Sequence, residues 1–307
     1  MNKLNIIMYH YVRESKNSKF PNIKSLELND FKDQLNYLKK KYKILNYQEF
    51  LHYSEQKKIP KNSCMLTFDD GYKDHIKYVL PELKKRNISG FFFPSAKTIM
   101  ENSILDINIL HIIQSKALSE KDLVKDLNFL LIKNNFLEKE IKYFQKNYFY
   151  NGRYDSKYIR YFKEVLQNMK LSSKKNKILD ILFKKYVKIE INELADSIYL
   201  SCKDIKELIN NKMYVGGHGY DHVRLGRLDD KDQEKEIEKT IKFLKFIKAP
   251  TKNWLMCYPY GSYNLKTIEI LKKKNCLGGL TVKVGNNDFE EDNLFELKRY
   301  DTNDFIK

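Results

Sequence analysis

Three stretches of this sequence place polar residues capable of chemistry directly behind apolar, strand-like runs. The first is Asp69-Asp70-Gly71, which follows Cys64-Met65-Leu66-Thr67-Phe68. Adjacent carboxylates repel each other and suit neither strand nor helix propensity. Side chains alternate at a strand end, so one carboxylate could bind a metal while the other faces a substrate. Taken alone, the pair reads first as a helix N-cap. The second stretch is His218-Gly219-Tyr220-Asp221-His222, after Gly216-Gly217. Histidines four apart converge on one face of a helix or within a tight loop, and the glycine pair signals close backbone approach. The third, Tyr258-Pro259-Tyr260-Gly261-Ser262, is a turn whose backbone N–H near Tyr260 could face a developing oxyanion. His10 ends the first apolar run and is a further candidate, whereas His52, His75 and His111 read as surface residues.

Together these residues suggest metal-assisted hydrolysis. Two histidines and a carboxylate form a three-ligand set that leaves positions open for water and substrate. A second carboxylate beside them can take a proton from that water.

The elements that must position them read as alternating strands and helices. Strands are expected at Leu4–Met8, Tyr42–Leu45, Cys64–Phe68, Gly90–Phe93, Tyr214–His218, Trp254–Tyr258, Leu280–Val284 and Leu294–Leu297. Phe31, Leu35 and Leu38 recur at helical spacing, as do Ile237, Ile241, Leu244 and Ile247 between Asp230 and about Lys248. Further helices are expected through Ile76–Leu83, where Pro81 should kink or shift the boundary, and at Leu265–Lys274. From about 104 to 200 glycine and proline nearly vanish and long amphipathic stretches take over, the texture of a helical insertion. The fold class is α/β with a parallel sheet; periodicity alone does not separate a barrel from an open doubly wound sheet. In either, function gathers at the C-terminal strand ends.

Composition excludes several other classes. The 307 residues carry a formal charge of +17, but the lysines are dispersed and no nucleic-acid-binding motif accompanies them. Solvated helix faces account for the excess, no nucleic-acid partner is expected, and attraction to an anionic membrane surface or acidic glycan stays open. Cys64, Cys202, Cys257 and Cys276 show no paired spacing and imply no disulfide framework. The apolar run at the N-terminus is too short for a signal-peptide core, so the expected location is cytoplasmic.

The ordered motifs resemble those of the polysaccharide deacetylases that share the NodB homology domain, carbohydrate esterase family 4. Thr67-Phe68-Asp69-Asp70-Gly71 is similar to the first motif of that family, His218 and His222 to the second, and Pro259-Tyr260-Gly261 to the third. Met8-Tyr9-His10 and Leu297-Lys298-Arg299 resemble its flanks. The resemblance spans nearly the whole chain apart from the insertion, and implies one NodB-like domain over 1–307. It implies a distorted (β/α) barrel, usually of seven strands. Asp69 is implied as general base, and Asp70, His218 and His222 as ligands of zinc or a similar divalent ion. The Tyr260 N–H is implied in the oxyanion hole. The expected reaction removes an N-acetyl group from an amino sugar in a polysaccharide or its nucleotide- or lipid-linked precursor.

The sequence departs from the family pattern at three points. Cys257 stands where many members carry an Arg that orients the base, Gly219 replaces a Ser or Thr, and no histidine lies in Phe295–Asp304 to serve as general acid. His10, or Asp69 returning its own proton, is left to protonate the leaving group. The motifs do not distinguish an amide hydrolase from an O-acyl esterase, a deformylase or a ring-amide hydrolase. The missing Arg and the missing general-acid histidine also raise a non-catalytic carbohydrate-binding or scaffold protein on a degenerate deacetylase fold.

Overall fold

The computed structural model describes residues 2–169, 173–191 and 194–305. These divide into two compact units, one of residues 1–14, 25–103 and 195–307, the other of 15–24 and 104–194.

The first unit is built on parallel strands. Seven form its frame: β1 (Leu4–Tyr9), β2 (Ser63–Asp70), β3 (Phe91–Pro94), β4 (Tyr214–Val215), β5 (Trp254–Cys257), β6 (Cys276–Leu280) and β7 (Tyr300–Asp301). They pair in the order β7-β1-β2-β3-β4, and β5 pairs β6. Two parallel bridges complete the circuit: Gly217 with Met256 joins the end of β4 to β5, and Leu280 with Leu297 joins β6 to the segment entering β7. The result is a distorted (β/α) barrel. Its weakest staves, β4 and β7, are two residues long.

Alternation along the strands sorts their side chains into two layers. Leu4, Ile6, Met65, Phe91, Phe93, Leu255, Cys257, Leu280 and Leu297 form one buried cluster. Ile7, Tyr9, Leu66, Phe68, Phe92 and Met256 form another, with helix residues Phe31, Leu35, Leu38, Ile237 and Leu244. The first lines the barrel, the second lies between barrel and helices. Gly216 and Gly217 sit where the walls crowd. A Cβ on Gly216 would come 2.6 Å from the Phe93 ring, and one on Gly217 2.8 Å from Trp254.

Several boundaries differ from those expected. Asp69 and Asp70 do not stop β2; they are its last two residues and pair with Phe93 and Pro94. The helix after them runs without a break from a wide π-type turn at His75–Val79 into regular α-helix at Leu80–Arg86, with Pro81, which has no N–H to give the preceding turn, just past the widened stretch. The strand expected at Leu280–Val284 lies earlier, at Cys276–Leu280. Leu294–Glu296 is a 3₁₀ turn rather than a strand.

In the second unit the helices are Asp106–Lys116, Glu120–Lys133, Glu138–Tyr148, Lys157–Asn168 and Ser173–Val187. Leu110, Ile113, Leu127, Leu131, Phe162, Val165 and Leu182 are buried in it, while Ser119 and Ser156 cap helix N-termini. No helix among the described residues is long and apolar enough to cross a membrane.

Candidate active site

Strand parity explains how two neighbouring aspartates come to separate surroundings. Asp69 lies on the face of β2 that carries Met65 and Thr67 into the barrel, and is 2 % exposed. Asp70 would point away, but its φ of +68° puts it in the left-handed region and turns the chain out of the strand.

Asp70 meets both histidines of the second motif. Its Oδ1 lies 3.2 Å from His218 Nε2 and 3.3 Å from His222 Nε2, and the two Nε2 atoms are 3.2 Å apart. Its other oxygen, Oδ2, accepts a hydrogen bond from the Tyr72 hydroxyl at 2.5 Å. The histidine segment is a tight loop, not a helix. His218 Nδ1–H donates to the Cys257 carbonyl at 2.8 Å, so Nε2 is the ring nitrogen that faces the triangle. His222 Nδ1 is buried without a hydrogen-bond partner.

These three atoms fit a divalent ion. In a tetrahedral site with bonds of roughly 2.0–2.1 Å, the ligand atoms are about 3.3 Å apart, which matches the triangle's 3.2, 3.2 and 3.3 Å edges. Nitrogen and carboxylate oxygen also suit zinc-like ions. A second donor set, Asp69, His218 and Cys257, also has its ligand atoms within 4.8 Å of one another. There the Arg299 guanidinium, on the Asp69 carboxylate, opposes a cation.

Charge within the triangle follows from its geometry. Burial disfavours the Asp70 carboxylate, but hydrogen bonds from His218 and His222 outweigh it and hold its pKa well below the usual range. Burial likewise opposes charge on His218, yet Cys257 and Asp70 raise its pKa well above the ordinary histidine value. His222 goes the other way: burial lowers its pKa, and Asp70 recovers only part of the loss.

Asp69 is held by a different partner. Arg299 Nη1 lies 3.0 Å from its Oδ1 and 2.9 Å from its Oδ2. The Cys257 thiol is 3.3 Å from Oδ2 as a weak donor. Arg299 is itself fixed, with Nε–H donating to the Thr281 carbonyl at 2.7 Å and Nη1 lying 3.2 Å from Thr67 Oγ1. Burial opposes ionisation of Asp69, but Arg299, with His218 and His10 behind it, keeps its pKa below the ordinary carboxylate value. The position where an Arg is missing, Cys257, is thus matched in space by an Arg from the segment entering β7. Sequence reasoning placed Arg299 only in a flank, although the signal was there: Leu297 faces the barrel, and two residues on the same face returns.

His10 Nε2 is 3.9 Å from Asp69 Oδ2, and its side chain is 40 % exposed, more open than Asp69 and the three residues of the triangle. Its backbone is held by His75, whose Nε2–H donates to the His10 carbonyl at 2.9 Å. His75 is therefore no surface residue. It is fully buried against Phe68, Tyr72 and Phe92, and burial pushes its pKa down to about 4. His52 is exposed and His111 half-buried in a helix, both in other parts of the chain.

Tyr260 lies on a 3₁₀ turn at Pro259–Gly261 with φ +58°. Its ring is 4.8 Å from that of His222, and Arg224 stacks over it at 4.4 Å. The structure therefore brings Asp69, Asp70, His218, His222, His10 and Tyr260 to one end of the barrel, and adds Arg299, Tyr72 and His75.

The family model described as polysaccharide deacetylase matches residues 56–128 and 152–277. His10 and Arg299 lie outside those stretches. No curated protein sequence matches the chain. Among solved structures, a Streptococcus pyogenes deacetylase, PplD, in complex with acetate is 18 % identical, with a TM-score of 0.58 over 97 % of this chain and 92 % of its own. IcaB from Ammonifex degensii is 16 % identical, with a TM-score of 0.57 over 97 % and 91 %. A de-N-acetylase from Aggregatibacter actinomycetemcomitans is 13 % identical, with a TM-score of 0.55 over 97 % and 94 %. At these identities the likeness is one of fold.

Proposed function

This chain belongs to the polysaccharide deacetylase family, and from that premise we propose that it hydrolyses the N-acetyl amide of an amino sugar with a divalent ion held by Asp70, His218 and His222. Membership itself supports deacetylation of a carbohydrate as the chemical class. The observation that carries the finer reading is the ligand-sized triangle beside a separately held, ionised Asp69.

Such an ion, zinc or similar, would polarise the acyl oxygen and acidify water toward a pKa of about 7. The chain's own residues do the rest. Asp69 is kept charged by Arg299 and takes the proton from the attacking water. The Tyr260 N–H donates to the oxygen of the tetrahedral intermediate. His10 is more open and stands beside Asp69, and it delivers a proton to the departing sugar nitrogen. Water and amide go in; acetate and a free amine come out. His75 keeps His10 in place and remains neutral.

The domain runs over 1–307, with the helical unit inserted in it. The substrate is an amino sugar of a polysaccharide or of its nucleotide- or lipid-linked precursor. The net positive charge suits a phosphate-bearing precursor or an anionic membrane surface carrying it. Arg299 also weakens the scaffold alternative, because a base without an orienting Arg was one of its two grounds.

The test is a panel of N-acetyl, N-formyl and O-acetyl sugars incubated with metal-loaded protein. Equal amounts of acetate and new primary amine from N-acetyl substrates are expected. Acetate from O-acetyl sugars alone would replace the amide reading with an esterase.

A further inference from the structure

The two histidines of the triangle are not held alike. His218 is fixed by its own second nitrogen through the Cys257 carbonyl, whereas His222 Nδ1 has no hydrogen-bond partner. His222 also has a φ of +54°, a strained left-handed conformation for a residue with a side chain. Its ring is therefore placed by its backbone, and something must hold that backbone.

Glu236 does so from the helix Asp230–Phe246. Its Oε1 accepts from both the Tyr220 and Asp221 N–H groups at 2.7 Å each, and the residue is 5 % exposed. The carbonyls of the same loop are taken by the segment that follows β3. Gly219 O accepts from Ala96 N–H at 3.1 Å, and Tyr220 O from Lys97 N–H at 3.0 Å and the Ser95 hydroxyl at 3.0 Å. Gly219 has a φ of +72°, and a Cβ there would sit 3.2 Å from Glu236 Oε1, so glycine leaves the carboxylate its place. Further contacts reach the loop through side chains: Asp221 pairs with Lys97 and Lys239, partly solvated and worth little by comparison, the Tyr220 hydroxyl donates to Glu101 at 2.7 Å, and Lys239 lies over the Tyr220 ring at 4.4 Å.

We propose that Glu236 is a positioning residue for the metal centre, which sets metal affinity by accepting two backbone N–H groups of the His218–His222 loop and so fixing His222. This rests on the reading of Asp70, His218 and His222 as ligands. Acceptance, not charge, is the requirement, so an amide oxygen serves as well. Outer groups that orient ligands typically contribute about 10–100-fold in metal affinity.

The experiment compares Zn²⁺ dissociation constants of wild type, Glu236→Gln, Glu236→Met and Glu236→Ala by chelator competition, with melting temperatures of the metal-free proteins recorded alongside. Glu236→Met keeps the length without the acceptor and should bind Zn²⁺ ~10–100-fold more weakly, while Glu236→Gln should stay within ~3-fold of wild type. At saturating Zn²⁺ the Met variant should recover most of its kcat. If Glu236→Met does not fold, Glu236→Ala supplies the same comparison. Wild-type affinity in the Met or Ala variant overturns the proposal, as does a Gln variant that loses as much as Met. A wild type that binds no Zn²⁺ overturns it together with the ligand reading; the other two outcomes leave that reading standing.

Discussion

Arg299 Nη1 contacts both carboxylate oxygens of Asp69, at 3.0 and 2.9 Å, with both residues almost fully buried. Removing one partner of such a pair strands a charge, at a cost of about 3–5 kcal/mol. Arg299→Ala should therefore destabilise the protein and lower kcat/KM by roughly 100-fold, the upper end for groups that orient a catalytic residue. The pH effects have a definite sign. Arg299 helps depress the Asp69 pKa, so its loss should move the acid limb of the pH–rate profile to higher pH. A depressed carboxyl adds stability that is present above its unfolded pKa of about 3.9 and is lost as pH falls through its folded value. The variant should lose that contribution across the range above it. An acid limb left in place by the substitution would contradict the assignment.

Tyr72→Phe isolates the other aspartate. The Tyr72 hydroxyl occupies Asp70 Oδ2 at 2.5 Å and leaves Oδ1 for the histidines. Without it a buried carboxylate oxygen lacks a donor, at a cost of about 1–3 kcal/mol, and Asp70 is free to rotate. Metal affinity should fall by about 10–100-fold while the far-ultraviolet circular dichroism stays that of wild type. Titration with Zn²⁺ in the presence of a competing chelator measures it. Equal affinities would mean that Tyr72 only packs.

The division between what the sequence revealed and what it hid follows the range of the interactions. Asp69-Asp70 and His218-x-x-x-His222 were legible because each sits at the end of a local apolar run. The helices were legible from period, and the interruption at Pro81 from chemistry. Arg299 was hidden because its partner is 230 residues away and it lies outside any strand, just before a strand only two residues long. His75 looked like a surface histidine because its place beneath His10 depends on a π-type turn and on two neighbouring strands. Glu236 was one charged residue among many on an amphipathic helix. Near the C-terminus the ladder runs through Cys276–Leu280, where two glycines dilute the apolar signal, and the apolar run ending at Leu297 serves a single bridge.

Asp69→Asn and His218→Ala should fail in different ways. The asparagine side chain would keep the size of the aspartate but could not take a proton, so turnover should vanish while Zn²⁺ still binds one to one. Loss of the His218 imidazole opens the triangle, and metal should be lost with activity. Inductively coupled plasma analysis of the purified variants separates the two. Stoichiometric metal in His218→Ala would refute its role as ligand. Binding should also compete with protons: the His218 pKa is raised well above 6.5, so Zn²⁺ must displace a proton at neutral pH and affinity should rise with pH there. Calorimetry in buffers of different ionisation enthalpy should show net proton release.

His10→Ala tests the leaving-group proton. His10 stands 3.9 Å from Asp69 and is 40 % exposed at its side chain, so it can meet a substrate nitrogen that Asp69 does not reach. General acid catalysis by a positioned imidazole typically contributes about 10²–10⁴-fold. The variant should lose activity on that scale on an N-acetyl sugar, whose amine is a poor leaving group. The loss should be much smaller on an acetyl ester of a good leaving group such as a nitrophenol, which departs without a proton. Metal content should be unchanged, because His10 is not part of the triangle. His75→Phe keeps the buried ring but removes the hydrogen bond to the His10 carbonyl, and should show a weaker form of the same substrate-dependent loss. Full activity of His10→Ala on the amide would shift the role to Asp69, acting first as base and then as acid.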